Sequence, residues 1–354
     1  MNPQKGRGSV SNATPRFESH VRETVCDEWS QASPDEEPKT RTVVFVERAK
    51  TIISSNQSPD IPFEQSVNAY RGCEHGCVYC YARPSHAYLN LSPGLDFETK
   101  IFAKENAAEV LRQTLEKKSY EPKLIALGTN TDPYQPLERK LLITESILKV
   151  LEEFNNPVAI TTKSALVTRD IEILARMAQK NLARVFMSVT TLDRDIARTL
   201  EPRASTPSKR LEAIRELTEA GIPTGVMVAP IIPALTDHDM EKILEHARAA
   251  GAMHAAYVAL RLPLEVTNLF QEWLEVHHPL KAKHVMSLVR QMRGGKDYDS
   301  DFRTRMRGSG IHADLIQQRF KKACARLGLN ESRRPLTTEL FRRPIAPHPQ
   351  MSLF

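Results

Sequence analysis

Three cysteines fall within eight residues, Cys73, Cys77 and Cys80, in a run that also holds Gly72, His75 and Gly76. Thiolates are soft ligands that suit iron–sulfur clusters and zinc. A four-iron cluster is normally held by one thiolate per iron, so three thiolates leave one iron open to bind and activate something else. A closed zinc site takes four ligands, usually as two spaced pairs. No second pair exists here, since the remaining cysteines, Cys26 and Cys324, stand alone. His75 is the nearest fourth candidate, and a zinc-binding loop or three reduced thiols stays open as the plainer reading. Gly72 and Gly76 ease the backbone conformations needed to wrap three thiolates around one centre.

Such a loop needs a scaffold, and the chain alternates in a way that supplies one. The apolar runs 124–127, 158–160, 185–189, 225–229 and 256–260 predict buried parallel strands. With the first strand, which leads through Ser66 to Tyr70 into the cysteine loop, that makes six. Helical periodicity over Ala107–Leu115 and Leu211–Ala220, the latter closed by Gly221, places helices between strands. Alternating strands and helices predict right-handed β-α-β units, and in parallel barrels the chemistry sits at the C-terminal ends of the strands.

Those strand ends carry the next candidates. After the second strand, residues 128–136 are small, polar and turn-forming, and Thr131 is the first choice as a cofactor contact. An ordinary βα turn would look similar. The third strand ends at Lys163, a cation suited to a carboxylate or else a surface lysine. Ser188, polar among apolar neighbours on the fourth strand, is expected to hydrogen-bond. Arg203 offers a planar donor fork, unless it merely pairs with Glu201.

Composition sets the outline. The chain has 354 residues and a net charge of +6. From Lys281 to the C-terminus there are 16 lysines and arginines against 6 carboxylates, so the positive excess is C-terminal. Arg303, Arg305, Arg307, Arg333, Arg334, Arg342 and Arg343 suit a phosphate backbone or an acidic protein, with nucleic acid the leading candidate, against a solvated basic helix and tail. Few aromatic residues interleave with them, so stacking of single strands has weak support. No apolar run reaches the length of a membrane span, and no secretory signal opens the sequence, so no membrane and a cytoplasmic location are expected. The expected organisation is a flexible arm over 1–40, a core over 41–279 with a β-rich lead-in, and a basic extension over 280–354.

The C-x3-C-x-aromatic-C pattern, with Tyr79 in the aromatic slot, resembles the radical S-adenosylmethionine (radical SAM) superfamily. The resemblance implies an open, partial (β/α)6 barrel of TIM-like type with the cluster loop after its first strand. It implies an enzyme in which Cys73, Cys77 and Cys80 hold a [4Fe-4S] cluster, and whose open iron chelates the methionine end of S-adenosyl-L-methionine. Reduction by a flavodoxin- or ferredoxin-like donor then yields a 5'-deoxyadenosyl radical that abstracts hydrogen from substrate. Tyr79 would pack beside the adenine, with Thr131, Lys163, Ser188 and Arg203 as further cofactor contacts.

Across residues 66 to about 330 the segments Tyr70–Cys73, Cys80–Arg83, Glu201–Arg203 and Ala229–Pro233 look like the spore photoproduct lyase-like branch, often labelled DNA repair photolyase-related. Arg83–Tyr88 and Arg305–Gly308 look most like a bacterial subgroup of it. By that resemblance Tyr81 lies near the hydrogen-transfer path and is the catalytic candidate. One position departs from the pattern: where the lyase carries a cysteine as hydrogen donor, this chain has Thr129. A hydroxyl O–H bond is far too strong to replace a thiol S–H there, which argues against thymine-dimer reversal. Cys324 as a substitute donor sits in an amphipathic pattern where a lone cysteine is usually core. The reading from a different class is a nucleic acid-binding or redox module whose metal loop is structural.

Overall fold

The β-branched and aliphatic runs pair into one open sheet. The computed structural model describes residues 4–18, 41–331 and 334–344; Cys26 and Arg333 lie outside the described residues. Its strands are β1 (Val43–Val46), β2 (Ile53–Ser55), β3 (Gln65–Val67), β4 (Tyr70–Arg71), β5 (Lys100–Ala103), β6 (Ile125–Leu127), β7 (Val158–Thr162), β8 (Ala183–Ser188), β9 (Thr224–Ile231) and β10 (His254–Ala259). Strands β3, β6, β7, β8, β9 and β10 are parallel neighbours in that order, and β2 closes the β3 edge antiparallel. Six parallel strands in chain order are the partial barrel expected from the sequence.

Helices Ala107–Glu116, Ile143–Glu153, Ile171–Gln179, Pro207–Glu219 and Met240–Ala249 occupy the crossovers. Each buries one stripe, as with Leu111 and Leu115, Leu148 and Leu151, or Ile214 and Leu217, against strand residues such as Ile160, Val185 and Val226. The helix over Pro207–Glu219 starts with proline in its first turn, where no amide partner is lost, and Gly221 follows its end at φ +77°. The lead-in forms a second sheet, β1 parallel to β5 and β5 antiparallel to β4, which delivers Arg71 directly to the cysteine loop.

Two expectations change. Residues 4–18, expected as part of a flexible arm, are packed: Ser9 and Val10 are buried, and the Gly8 and Ser9 amides donate to the Glu98 carboxylate at 3.0 and 2.8 Å. The contact is made by backbone amides, which leave no trace in hydrophobicity or periodicity. The basic extension also fails to form one surface. Residues near 306 lie over the C-terminal end of β10, where Ala259 donates to the Met306 carbonyl at 2.8 Å. Arg342 and Arg343 lie at the opposite end, bonding carbonyls of Glu153, Phe154, Lys117 and Tyr120 that precede strands β6 and β7.

Candidate active site

The cysteine loop leaves β4 at the C-terminal side of the barrel. Gly72 and Gly76 adopt φ +79° and +68°, and the loop turns through bonds from Gly76 to the Cys73 carbonyl and from Cys80 to the Cys77 carbonyl. Arg83, fully buried, fixes its path. Its guanidinium donates to the carbonyls of Cys77 (2.8 Å), Gly76 (3.1 Å), Pro93 (3.0 Å) and Gly94 (2.9 Å), and it pairs with the equally buried Glu98. The N-terminal segment closes on the same pair. A Cβ at Gly8 would stand 1.8 Å from the Gly76 carbonyl oxygen, so this contact admits only glycine.

Burial raises the pKa of all three thiols, with Asp132 adding to the effect at Cys73 and Glu201 at Cys77. Thiolates in such a place need a cationic centre to offset their charge. His75 is not free to complete a closed zinc set through Nδ1, which faces Asp132 at 3.4 Å. Among the described residues no three His, Cys, Asp or Glu side chains gather as a single-ion site. One glycine-bearing loop thus brings three thiols together beside the ends of β7 and β8.

Beside the loop, the ends of β7 and β8 bring candidates together. Lys163 Nζ donates to Ser188 Oγ at 2.8 Å and lies 5.8 Å from the Tyr79 ring centroid; Ser188 Oγ in turn donates to the Ala229 carbonyl at 3.1 Å. Glu201 organises this group from below. It accepts from the Tyr79 hydroxyl and from Thr190 Oγ (2.6 Å), pairs with buried Arg210, and stands 4.0 Å from Lys163. Burial alone would raise the Glu201 carboxyl, but Arg210, Lys163, Thr190 and Tyr79 outweigh it and hold it at about 2. Thus Lys163 is not a surface lysine, and the partner of Glu201 is Arg210, not Arg203.

With this site in place the comparisons decide the family. A profile of the radical SAM superfamily matches residues 67–247. The chain belongs to the radical SAM superfamily. A Mycobacterium tuberculosis protein is 38% identical over 233 residues, covering 65% of this chain and 68% of the relative. One from Methanocaldococcus jannaschii is 26% identical over 232 residues, covering 66% and 82%. The fold resembles that of spore photoproduct lyase complexed with dinucleoside spore photoproduct, with a TM-score of 0.53 and 16% identity over 81% of this chain and 80% of that one. Membership makes the protein an enzyme, sets aside the binding-module reading, and brings S-adenosylmethionine and an iron–sulfur cluster as the family's cofactors.

The other candidates of this radical SAM chain stand apart from the Lys163 group. Thr131 Oγ1 donates to the Tyr70 carbonyl at 3.2 Å, bracing the β6 end on the strand that enters the loop. Arg203 pairs with Glu74 of the loop at 3.0 Å. Tyr81 crosses to the β6 end, where its hydroxyl donates to the Thr129 carbonyl. Cys324 is remote: its sulfur is 4.0 Å from Asn330, whose amide bonds Ala255 at the N-terminal end of β10. Burial raises its thiol to about 11, as in an inert core cysteine. Among the described residues no helix is long and apolar enough to cross a membrane.

Sequence reasoning missed Arg83, Glu98 and Arg210. The first was within reach, since Arg83 closes the Cys80–Arg83 segment that carried the resemblance. The others are defined by partners distant in sequence.

Proposed function

We propose that Cys73, Cys77 and Cys80 hold a [4Fe-4S] cluster and that S-adenosylmethionine binds between this loop and the ends of β6, β7 and β8. When bound, these groups supply a 5'-deoxyadenosyl radical that abstracts hydrogen from substrate. The observation that carries the reading is the placement of Lys163, Ser188 and Tyr79 as one group, joined by a hydrogen bond and a cation–π contact, beside a glycine loop bearing the buried thiols of Cys73 and Cys77 and the half-buried thiol of Cys80. Lys163 supplies the cation for the cofactor carboxylate, Ser188 orients its ammonium group, and Tyr79 offers a ring held in place by Glu201. Thr131 shapes the β6 end, and Arg203 steadies the loop through Glu74. Tyr81, 45% exposed, faces the space where substrate arrives. The low-potential electron comes from a flavodoxin- or ferredoxin-like donor in the cytoplasm, and the substrate is a nucleic acid. The lyase of similar fold was solved with a dinucleoside, which supports that class.

The test is metal analysis with turnover. Anaerobically loaded protein should carry about four irons and matching sulfide per chain, and after reduction it should form 5'-deoxyadenosine. Cys77→Ala should lose both and Cys324→Ala neither. Stoichiometric zinc without iron, or full iron in Cys77→Ala, would overturn the proposal.

A further inference from the structure

Two exposed rings at the barrel mouth each carry an arginine. The Arg261 guanidinium lies 5.3 Å from the Tyr81 ring centroid, and that of Arg305 lies 4.4 Å from the Phe302 centroid. Tyr81 is 45% exposed and Phe302 46%. Arg261 comes two residues after the end of β10, on the side where parallel barrels do their chemistry. The hydrogen bond from Ala259 to the Met306 carbonyl sets the Phe302 segment beside it.

The arginines of this corner differ in what they hold. Arg305 is clamped on Asp60 through Nε and a terminal nitrogen at 2.5 and 2.6 Å. Arg293, buried, spends its donors on the carbonyls of Thr304, Ala259 and Leu260 and so braces the segment. Among the described residues Arg261 makes no ion pair, and the Asp60 carboxylate within its electrostatic reach is clamped by Arg305. The only hydrogen-bond acceptor of Arg261 among the described residues is the Met306 thioether at 3.4 Å, and its Nε is buried without a partner. Sulfur is a weak acceptor, and a buried guanidinium N–H left unpaired is destabilising. With Nε buried, it is the terminal nitrogens, held by nothing stronger than a thioether, that suit an arriving oxyanion.

We infer that Arg261, with Tyr81 and Phe302, forms a subsite for single-stranded nucleic acid, a phosphodiester seating on Arg261 and bases stacking on the exposed rings. This rests on the reading of the barrel mouth as the reaction site. The alternation of arginine and exposed ring favours nucleic acid over an acidic peptide. Carboxylates would use the cations alone, whereas single strands use stacking surfaces and cations together.

The experiment measures binding of a labelled single-stranded oligodeoxynucleotide to the cluster-loaded full chain by anisotropy, across a salt series. Arg261→Gln should bind about tenfold more weakly, with the slope of log affinity against log salt reduced by about 0.7. Phe302→Ala should lose about tenfold through stacking with the slope unchanged. Arg176→Gln, an exposed residue paired with Glu152 on the crossover helices, should match wild type. Wild-type affinity and slope in both Arg261→Gln and Phe302→Ala would overturn the subsite. So would an acidic peptide of equal charge binding as tightly as the oligonucleotide, or no oligonucleotide binding by wild type. Iron content and 5'-deoxyadenosine are scored on the same wild-type preparation, and failure there counts against the cluster assignment, not against this subsite.

Discussion

The Tyr81 hydroxyl donates to the Thr129 carbonyl, so the residue after Cys80 is tied to the end of β6. Thr129 Oγ1 is itself hydrogen-bonded to the Asn68 side chain at 3.2 Å, which commits its only O–H group to structure. Neither group is a thiol, and Cys324 lies at the far end of β10. Reduced, cluster-loaded protein should therefore release no thymine from spore photoproduct. Chromatography of the reaction mixture checks this, and efficient release would show that Tyr81, Cys324 or another donor serves in place of the absent thiol.

Lys163→Ala should weaken S-adenosylmethionine binding about ten- to a hundredfold, as expected from losing a charge-assisted hydrogen bond of roughly 1.5–3 kcal/mol. Ser188→Ala should lose less, because it removes the orienting contact and keeps the charge. Equilibrium dialysis of the loaded protein measures both. Full affinity in Lys163→Ala would leave the lysine as a partner of Glu201 only.

Glu201→Gln should destabilise the fold by about 3–5 kcal/mol, because it leaves Arg210 charged and unpaired in the interior. The pH dependence follows from sign. The Glu201 carboxyl falls from 4.5 to about 2 on folding, so its stabilisation is complete above pH 4.5 and is lost as pH falls toward 2. Denaturant unfolding of wild type should show that loss, and in Glu201→Gln the slope across this window should flatten. An unchanged acid limb would mean that Glu201 is already protonated in the native state.

Gly8→Ala should open the cover of the loop, since the added methyl would collide with the Gly76 carbonyl. Iron should then be lost faster in air, followed by the decay of visible absorption, while far-ultraviolet circular dichroism stays native. Equal rates would show that residues 4–18 do not shield the thiols.

What was legible in the sequence was local. The cysteine spacing marked the loop, and alternating apolar runs marked five of the six parallel strands. The strand-end rule drew attention to Lys163 and Ser188, which the fold does bring within 2.8 Å. Pairings were not legible. Glu201 pairs with Arg210, buried beside it, and not with the nearer-looking Arg203, which stays partly exposed and pairs with Glu74. The C-terminal excess of arginine gave a sum without positions, and the fold split it between the two ends of the barrel. Backbone contacts of Gly8 and Ser9 carry no side-chain signature at all.

Those contacts also impose an order of events. Gly8 and Glu98 meet across 90 positions of sequence, so the segment synthesised first can dock only after its acceptor has emerged. During translation the thiols of Cys73, Cys77 and Cys80 are therefore made before their lid has anywhere to settle.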